Sequence, residues 1–187
     1  GQFKLAANIP GKEEFKETLR YFSVQLKLNH VKVFLNTAFD FQSVGDQGFD
    51  EIVLAAGVKP KSIATLPGIN HPSVVSYADL ILGKVPKGNN VAIIGAGGVG
   101  FDVATFLAHD NVYEIDSFLS SWQVDKSFTV AGGLLLEKVN LKIQRNIYLL
   151  QRSTGKQGKS LGKTTGWIHK KELQKRGVQS ISGVVYE

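Results

Sequence analysis

The residues best placed to do chemistry lie in the run Val91-Ala92-Ile93-Ile94-Gly95-Ala96-Gly97-Gly98-Val99-Gly100-Phe101-Asp102. Gly95, Gly97 and Gly100 fill the spacing G-x-G-x-x-G. An apolar strand-like run precedes them, and Val99, Val103, Phe106 and Leu107 follow at helical intervals. At a strand-to-helix junction the three glycines have separate duties. Gly95 permits the tight turn, Gly97 removes the Cβ that would hold a pyrophosphate off the backbone, and Gly100 lets the helix lie against the strand. Ala96, Gly98 and Val99 complete a loop whose helix N-terminus offers free N–H groups and a partial positive charge to an anion. The pattern points to a dinucleotide held by its pyrophosphate.

The next expected feature of such a site is an acidic residue at the end of the following strand, where it holds the ribose 2′-hydroxyl. Asp110, Glu114 and Asp116 are near the usual spacing, but no strand precedes them. The next strand-like run is Asn146–Gln151, followed by Arg152, Ser153, Thr154 and, a turn later, Lys156. Arginine in place of the carboxylate, with a hydroxyl beside it, suits a 2′-phosphate, so the expected cofactor is NADPH in preference to NADH. Lys159, Lys163, Lys170, Lys171 and Lys175 continue the positive stretch, with only Glu172 against them. A nucleic-acid groove would interleave aromatic residues, and only Trp167 is present, so no nucleic-acid partner is expected.

The sequence has no nucleophile elbow, no zinc-ligand spacing and no histidine–carboxylate pair at meaningful spacing. His30, His71, His109 and His169 are scattered and read as surface or capping residues. The absence of cysteine excludes disulfides and thiolate-held metals within the chain. No catalytic residue and no metal ligand is assigned. Hydride transfer between a nicotinamide and a flavin needs neither, because the cofactors carry the chemistry and the protein positions them.

These residues need elements to hold them. With 187 residues, 43% hydrophobic and 20% charged, the composition is globular and long enough for a real core. The net charge of +6 is consistent with an anionic ligand. The apolar runs 91–98 and 132–136 are too short to span a bilayer. No leader pattern is visible, and a cytoplasmic protein with no membrane partner is expected. The chain starts at Gly1 in mid-motif and is expected to be a segment of a longer one. Strand 90–94, helix 98–109, strand 146–151, helix 164–176 and strand 178–184 alternate as in a Rossmann-like parallel sheet with flanking helices. Before them, residues 12–29 carry Phe15, Leu19, Phe22 and Leu26 as the apolar stripe of a packed helix. Residues 31–35 alternate like a strand, 36–49 read as a loop or short hairpin, and 50–56 read as a buried strand ending at Gly57. A short strand over 74–77 and a short helix over 78–84 come next. Residues 110–145 form an insertion with a helical turn or two around Ile115, Phe118, Leu119 and Trp122 and a bend at Ala131-Gly132-Gly133.

Several stretches together resemble one family. These are Gly1-Gln2-Phe3, residues 9–15 (IPGKEEF), the glycine loop 95–102, Leu150-Gln151-Arg152, and residues 161–169 (LGKTTGWIH). They closely resemble the C-terminal half of bacterial NADPH-dependent 2,4-dienoyl-CoA reductases, which are similar to old yellow enzymes carrying an added two-dinucleotide-domain module. The likeness runs over nearly the whole chain. It implies an FAD domain into which an NADPH domain is inserted, with an FMN barrel and a 4Fe–4S cluster outside these residues. Hydride would pass from NADPH to FAD, and electrons onward to FMN and an unsaturated acyl-CoA of fatty acid β-oxidation. The resemblance implies that residues 1–85 are a partial FAD-binding portion with its connection, and 86–187 the NAD(P)H-binding domain. It places Gly1, Gln2, Ala38, Ala55, Ala56 and Gly57 at the FAD edge of the module. The glycine loop for FAD, its closing segment, the barrel and the cluster cysteines are all missing from these 187 residues. The remainder of the polypeptide is therefore the expected partner, and this chain alone is expected to be inactive. Two other readings stay open: the equivalent module of an amine dehydrogenase-like or glutamate synthase-like flavoprotein, and a non-enzymatic NAD(P)H sensor.

Overall fold

The computed structural model describes residues 1–40, 48–60, 63, 65–109, 114–136, 141 and 143–187. In chain order the elements are α1 (Gln2–Ala6), α2 (Phe15–Leu28), α3 (Tyr77–Ile81), β1 (Asn90–Ile94), α4 (Gly98–Ala108), α5 (Ile115–Ser121), β2 (Asn146–Gln151), α6 (Gly166–Lys175) and β3 (Gln179–Ser182). The strands form a parallel sheet in the order β1-β2-β3. Asn90 to Ile94 pair with Asn146 to Leu150, and Tyr148 to Gln151 pair with Gln179 to Ser182. Parallel neighbours need long crossovers, here supplied by α4 with α5 and then by α6. This is the α/β Rossmann-like architecture expected from the alternation.

The core lies where α4 meets the sheet. Ala104 and Leu107 of α4 and Ile147 and Leu149 of β2 are fully buried, with Ile93, Phe101, Val103, Ala108, Leu173 and Val178 around them. Ile9, Leu80 and Ile81 join the same cluster, so the N-terminal segment and α3 are sewn onto this unit. Lys12 Nζ adds an ion pair to Asp102 of α4 at 2.6 Å. The C-terminal carbonyls of α4 are capped by cations from three distant places. Lys87 Nζ donates to Phe106 O and His109 O, Arg145 Nη1 to Leu107 O, and Arg176 Nη1 to Ala108 O. Positive charge at that end complements the helix dipole. His109, read from sequence as a surface or capping residue, is buried. Its Nδ1 donates back to Thr105 O at 2.7 Å, and its Nε2 lies 3.1 Å from Glu172 Oε1.

The N-terminal third departs from the sequence reading. Residues 31–35 and 50–56 form no strand, and they are exposed: Phe34 by 75% and Leu54 by 76%. A strand exists only with a hydrogen-bonding partner, and the described residues supply none for either run. The apolar stripe of α2 is formed, and Phe15 stacks on Phe3 of α1 at 4.7 Å, while Phe22 meets only its neighbour Tyr21, edge-on at 5.3 Å, among the aromatic contacts of the described residues. Leu19, Phe22 and Leu26 of that stripe remain exposed. Residues 74–76 are not a strand. Instead Ser76 caps α3, its Oγ accepting from Asp79 N at 3.0 Å, so the short helix begins one residue earlier than expected. Part of the expected loop, residues 41–47, lies outside the described residues.

Within the insertion, α5 covers the expected helical turns, and Asp125 organises the loop that comes after them. Its buried carboxylate accepts from the backbone N–H groups of Ser127, Thr129 and Val130 and from the hydroxyls of Ser127 and Thr129. The Ser127 hydroxyl first, then the Val130 amide, hold this carboxyl well below the usual carboxylate range. The loop is closed by a bridge between Val124 and Leu134. Residues 110–113, 137–140 and 142 lie outside the described residues.

Two expectations arise from this packing. A Cβ on Gly100 would run into the Gly95 carbonyl oxygen and come within 3.0 Å of the Gly95 carbonyl carbon and 3.4 Å of Leu149 Cδ1. These are mostly backbone atoms that cannot step aside, so Gly100→Ala should destabilise by roughly 1–3 kcal/mol or more, measured by denaturant melting. For Asp125 the native pKa is depressed. Its stabilisation is therefore complete well above the ordinary value of 3.8 and is lost as pH falls through 3.8 towards the lower native value. Amide exchange at Ser127, Thr129 and Val130 should stay protected at neutral pH, lose protection in strong acid, and be unprotected at all pH values in Asp125→Ala.

Candidate functional site

The glycine loop sits at the C-terminal end of β1, the usual position for a ligand on an open α/β sheet. Gly95 extends the ladder, its N–H donating to Leu150 O at 3.0 Å, and then turns with φ of +110°, a conformation L side chains rarely adopt. Gly97 is the N-cap of α4, with extended backbone and no side-chain cap. The first amide of α4 bonded back into the helix is Phe101 N–H, to Gly97 O at 3.0 Å. The amides of Gly98, Val99 and Gly100 precede the first intrahelical bond, as at any helix start. A Cβ built on Gly97 or Gly98 meets no protein atom within 4 Å. The loop is thus closed against the protein at Gly100 and open at Gly97 and Gly98. An open, side-chain-free face over helix N–H groups fits a pyrophosphate.

Ala96 is buried and Val99 exposed, so the rim of this loop is partly apolar. The end of β2 lies beside it. Arg152, Ser153 and Lys156 are all exposed. Among the described residues neither Arg152 nor Lys156 is engaged in an ion pair. The segment is fastened at both ends. Ser153 O accepts from Gly183 N and from Gln151 Nε2, at 3.2 and 2.9 Å. Gln157 then turns inward and donates through Nε2 to Leu149 O at 2.8 Å and Ile181 O at 3.0 Å. Sequence reading passed over Gln157. Its only signal was an amide lodged between Lys156 and Gly158 in a loop otherwise rich in exposed cations.

The FAD-edge residues implied by the resemblance are brought together in part. Gly1, Gln2, Ala56 and Gly57 line one cleft of about 610 Å³ with Lys4, Leu5, Val58 and Leu82. Tyr77 Oη donates to Gln2 Oε1 at 2.8 Å and holds that side chain. Ala38 and Ala55 are exposed and stand outside this lining. No group of three or more histidine or acidic side chains suited to a metal occurs among the described residues. No helix among them is long and apolar enough to cross a membrane.

Comparison with known proteins accords with this geometry. The chain is 25% identical over 97% of its length to a metal reductase of Desulforamulus reducens. It is 29% identical over 58% of its length to a bilirubin reductase of Mediterraneibacter gnavus, and 30% identical over 51% to a cinnamate reductase of Clostridium sporogenes. The matches span 27%, 17% and 14% of those proteins. Among solved structures, a 2-naphthoyl-CoA reductase in complex with 2-naphthoyl-CoA superposes with a TM-score of 0.71 at 20% identity, over 99% of this chain and 23% of that one. At that identity the likeness speaks for the fold. Residues 4–187 match the profile described as pyridine nucleotide-disulphide oxidoreductase. With no cysteine in the sequence, a redox-active disulphide is not among the tools of these residues. The chain belongs to the pyridine nucleotide-disulphide oxidoreductase family.

Proposed function

We propose that this chain is the NADPH-binding portion of a flavin-dependent reductase, with residues 86–187 as the nicotinamide-nucleotide domain and 1–85 as part of an FAD-binding domain. The observation that carries the reading is the pairing of an open glycine loop at the end of β1 with exposed Arg152 and Lys156 at the end of β2. The amides at the start of α4 hold the pyrophosphate. Arg152, with Ser153 and Lys156, takes the 2′-phosphate, and Gly97 keeps the approach clear. No side chain of this segment needs to exchange a proton or form a covalent bond. When bound, NADPH supplies the hydride and FAD accepts it.

The cleft formed by Gly1, Gln2, Ala56 and Gly57 is proposed as one edge of the FAD site. Its lining carries no glycine loop for a second pyrophosphate, and the helix start it does carry, at Gly1 and Gln2, opens a helix of only five residues. The exposed apolar residues of α2 and of 31–35 and 50–58 support the same reading, because so many large apolar side chains left in solvent mark segments that pack on something. The proposed occupant is the remainder of the FAD domain in the same polypeptide. An FMN barrel and a 4Fe–4S cluster belong to this proposal on the strength of the sequence resemblance, as does a 2,4-dienoyl-CoA as final acceptor. The relatives' names give metal, bilirubin and cinnamate as different acceptors beside a shared stretch. Choice of substrate is accordingly assigned to parts of the reductase other than this one.

Three measurements test the proposal. Calorimetric titration should show tighter binding of NADPH than of NADH by roughly ten- to a hundredfold, the worth of a charge-assisted phosphate contact. Arg152→Ala should erase that preference and leave NADH affinity nearly unchanged; equal affinities in the wild type would overturn the reading. Gly97→Val should abolish binding of both cofactors at unchanged thermal stability, since the added side chain meets ligand space and no protein atom. The purified chain should show no flavin absorbance after dialysis and no NADPH oxidation above background, whereas stoichiometric retained FAD would mean that a complete FAD site lies in these residues.

A further inference from the structure

The loop after β2 is held by a residue that the cofactor reading does not use. Gln157 is 7% exposed, and its side-chain amide donates to one carbonyl of β2 and one of β3, Leu149 O and Ile181 O. Its Oε1 is buried with no hydrogen-bond partner among the described residues. A buried side chain that leaves its acceptor unmatched is kept there by its two N–H donors, not by the space it fills. Gly158, next in the chain, has φ of +68° and is pressed between elements. A Cβ there would stand 2.8 Å from Leu161 Cδ1 and Lys170 Cε and 3.0 Å from Phe101 Cζ, in the first turns of α4. The glutamine and glycine therefore seat the loop against both the sheet and the helix that begins at the glycine loop. The second anchor is Ser153 O, bonded to Gly183 N and Gln151 Nε2. Thr154, Gly155 and Lys156 are a short tongue between the two anchors, turned by Gly155 at φ of +96°. Arg152 and Lys156 each sit next in sequence to an anchor residue.

We infer that Gln157 is a positioning residue for NADPH selectivity: by clamping the loop to Leu149 O and Ile181 O it sets Arg152 and Lys156 at a fixed distance from the glycine loop, where they close on the 2′-phosphate. The inference rests on the reading of this loop as the 2′-phosphate site. Long cationic side chains lose rotamer freedom when they bind, and a backbone already fixed beneath them spares the further cost of ordering the loop. Releasing the clamp lowers affinity for the cofactor bearing the 2′-phosphate and spares the pyrophosphate contacts that both cofactors share.

The test is calorimetry with NADPH and NADH on the wild-type chain and on Arg152→Ala, Gln157→Leu and Gly158→Ala, with thermal melts and hydrogen exchange over residues 152–157. Gln157→Leu is uncharged and of similar size, so it removes the clamp without repelling a phosphate. It should weaken NADPH about tenfold, change NADH less than twofold, and raise exchange in the 152–157 segment. Gly158→Ala unseats the same loop by an independent route and should shift the NADPH to NADH ratio in the same direction; it decides the question if Gln157→Leu does not fold. Loss of both cofactors in equal proportion would show a merely structural role and overturn the inference. So would an unchanged ratio in both loop variants while Arg152→Ala abolishes the preference, and that result would leave the 2′-phosphate reading standing. A wild-type chain with no preference, or an Arg152→Ala variant that keeps it, would overturn that reading and this inference together.

Discussion

The structure depends on how closely the start of α4 approaches the end of β1. Gly100 sits so near the Gly95 carbonyl that no side chain fits between them. That contact brings the helix axis in towards the strand, lets Ala104 and Leu107 bury completely against Ile147 and Leu149, and aims the helix N-terminus across the edge of the sheet. A longer residue at position 100 would push the helix outward, and both the core and the proposed anion site would open with it. Stability and ligand geometry therefore hang on the same absent side chain.

The two ends of α4 are treated in opposite ways, and the contrast explains what the helix is for. At the C-terminal end, Lys87, Arg145 and Arg176 satisfy the carbonyls from Phe106 to His109, each reaching in from a different part of the chain. At the N-terminal end there is no side-chain cap, and the flanking glycines carry no atoms that would cover the amides. A helix whose negative end is matched by cations inside the protein and whose positive end is left bare has its partial positive charge free for an anion, which is what the proposed pyrophosphate site uses. The loop after β2 repeats the theme, with its backbone tied down while Arg152 and Lys156 stay in solvent.

The N-terminal segment obeys a different logic. Ile9 and the Lys12–Asp102 pair join it to the compact unit, while α2 and the runs 31–35 and 50–58 carry apolar side chains into solvent. Such sequences are written for burial, and burial needs a second surface. The difference between the two halves is not one of hydrophobic content. It is that Ile93, Ile147 and Leu149 of the sheet find cover within these residues, although Ile94 and Ile181 do not, whereas the apolar side chains of α2, 31–35 and 50–58 mostly stay exposed.

Local pattern was enough for the sheet unit. The alternation of apolar strands with helical stripes determined the α/β class, the order of elements and their bounds to within about two residues, because βαβ units are built from neighbours in sequence. The glycine spacing likewise determined the turn at Gly95 and the tight packing at Gly100, since only backbone sterics are involved. The sequence could not say whether 31–35 and 50–56 become strands, because that depends on partners that an apolar pattern does not name. Nor did it disclose the capping of α4 by Lys87, Arg145 and Arg176, the burial of His109 beside Glu172, the gathering of five hydrogen bonds onto Asp125, or the clamp made by Gln157. These are polar contacts, several of them between residues far apart in the chain. A polar side chain reads the same in a sequence whether it faces water or completes a buried carbonyl; only the tertiary structure, by removing the water, decides which of them must find a partner.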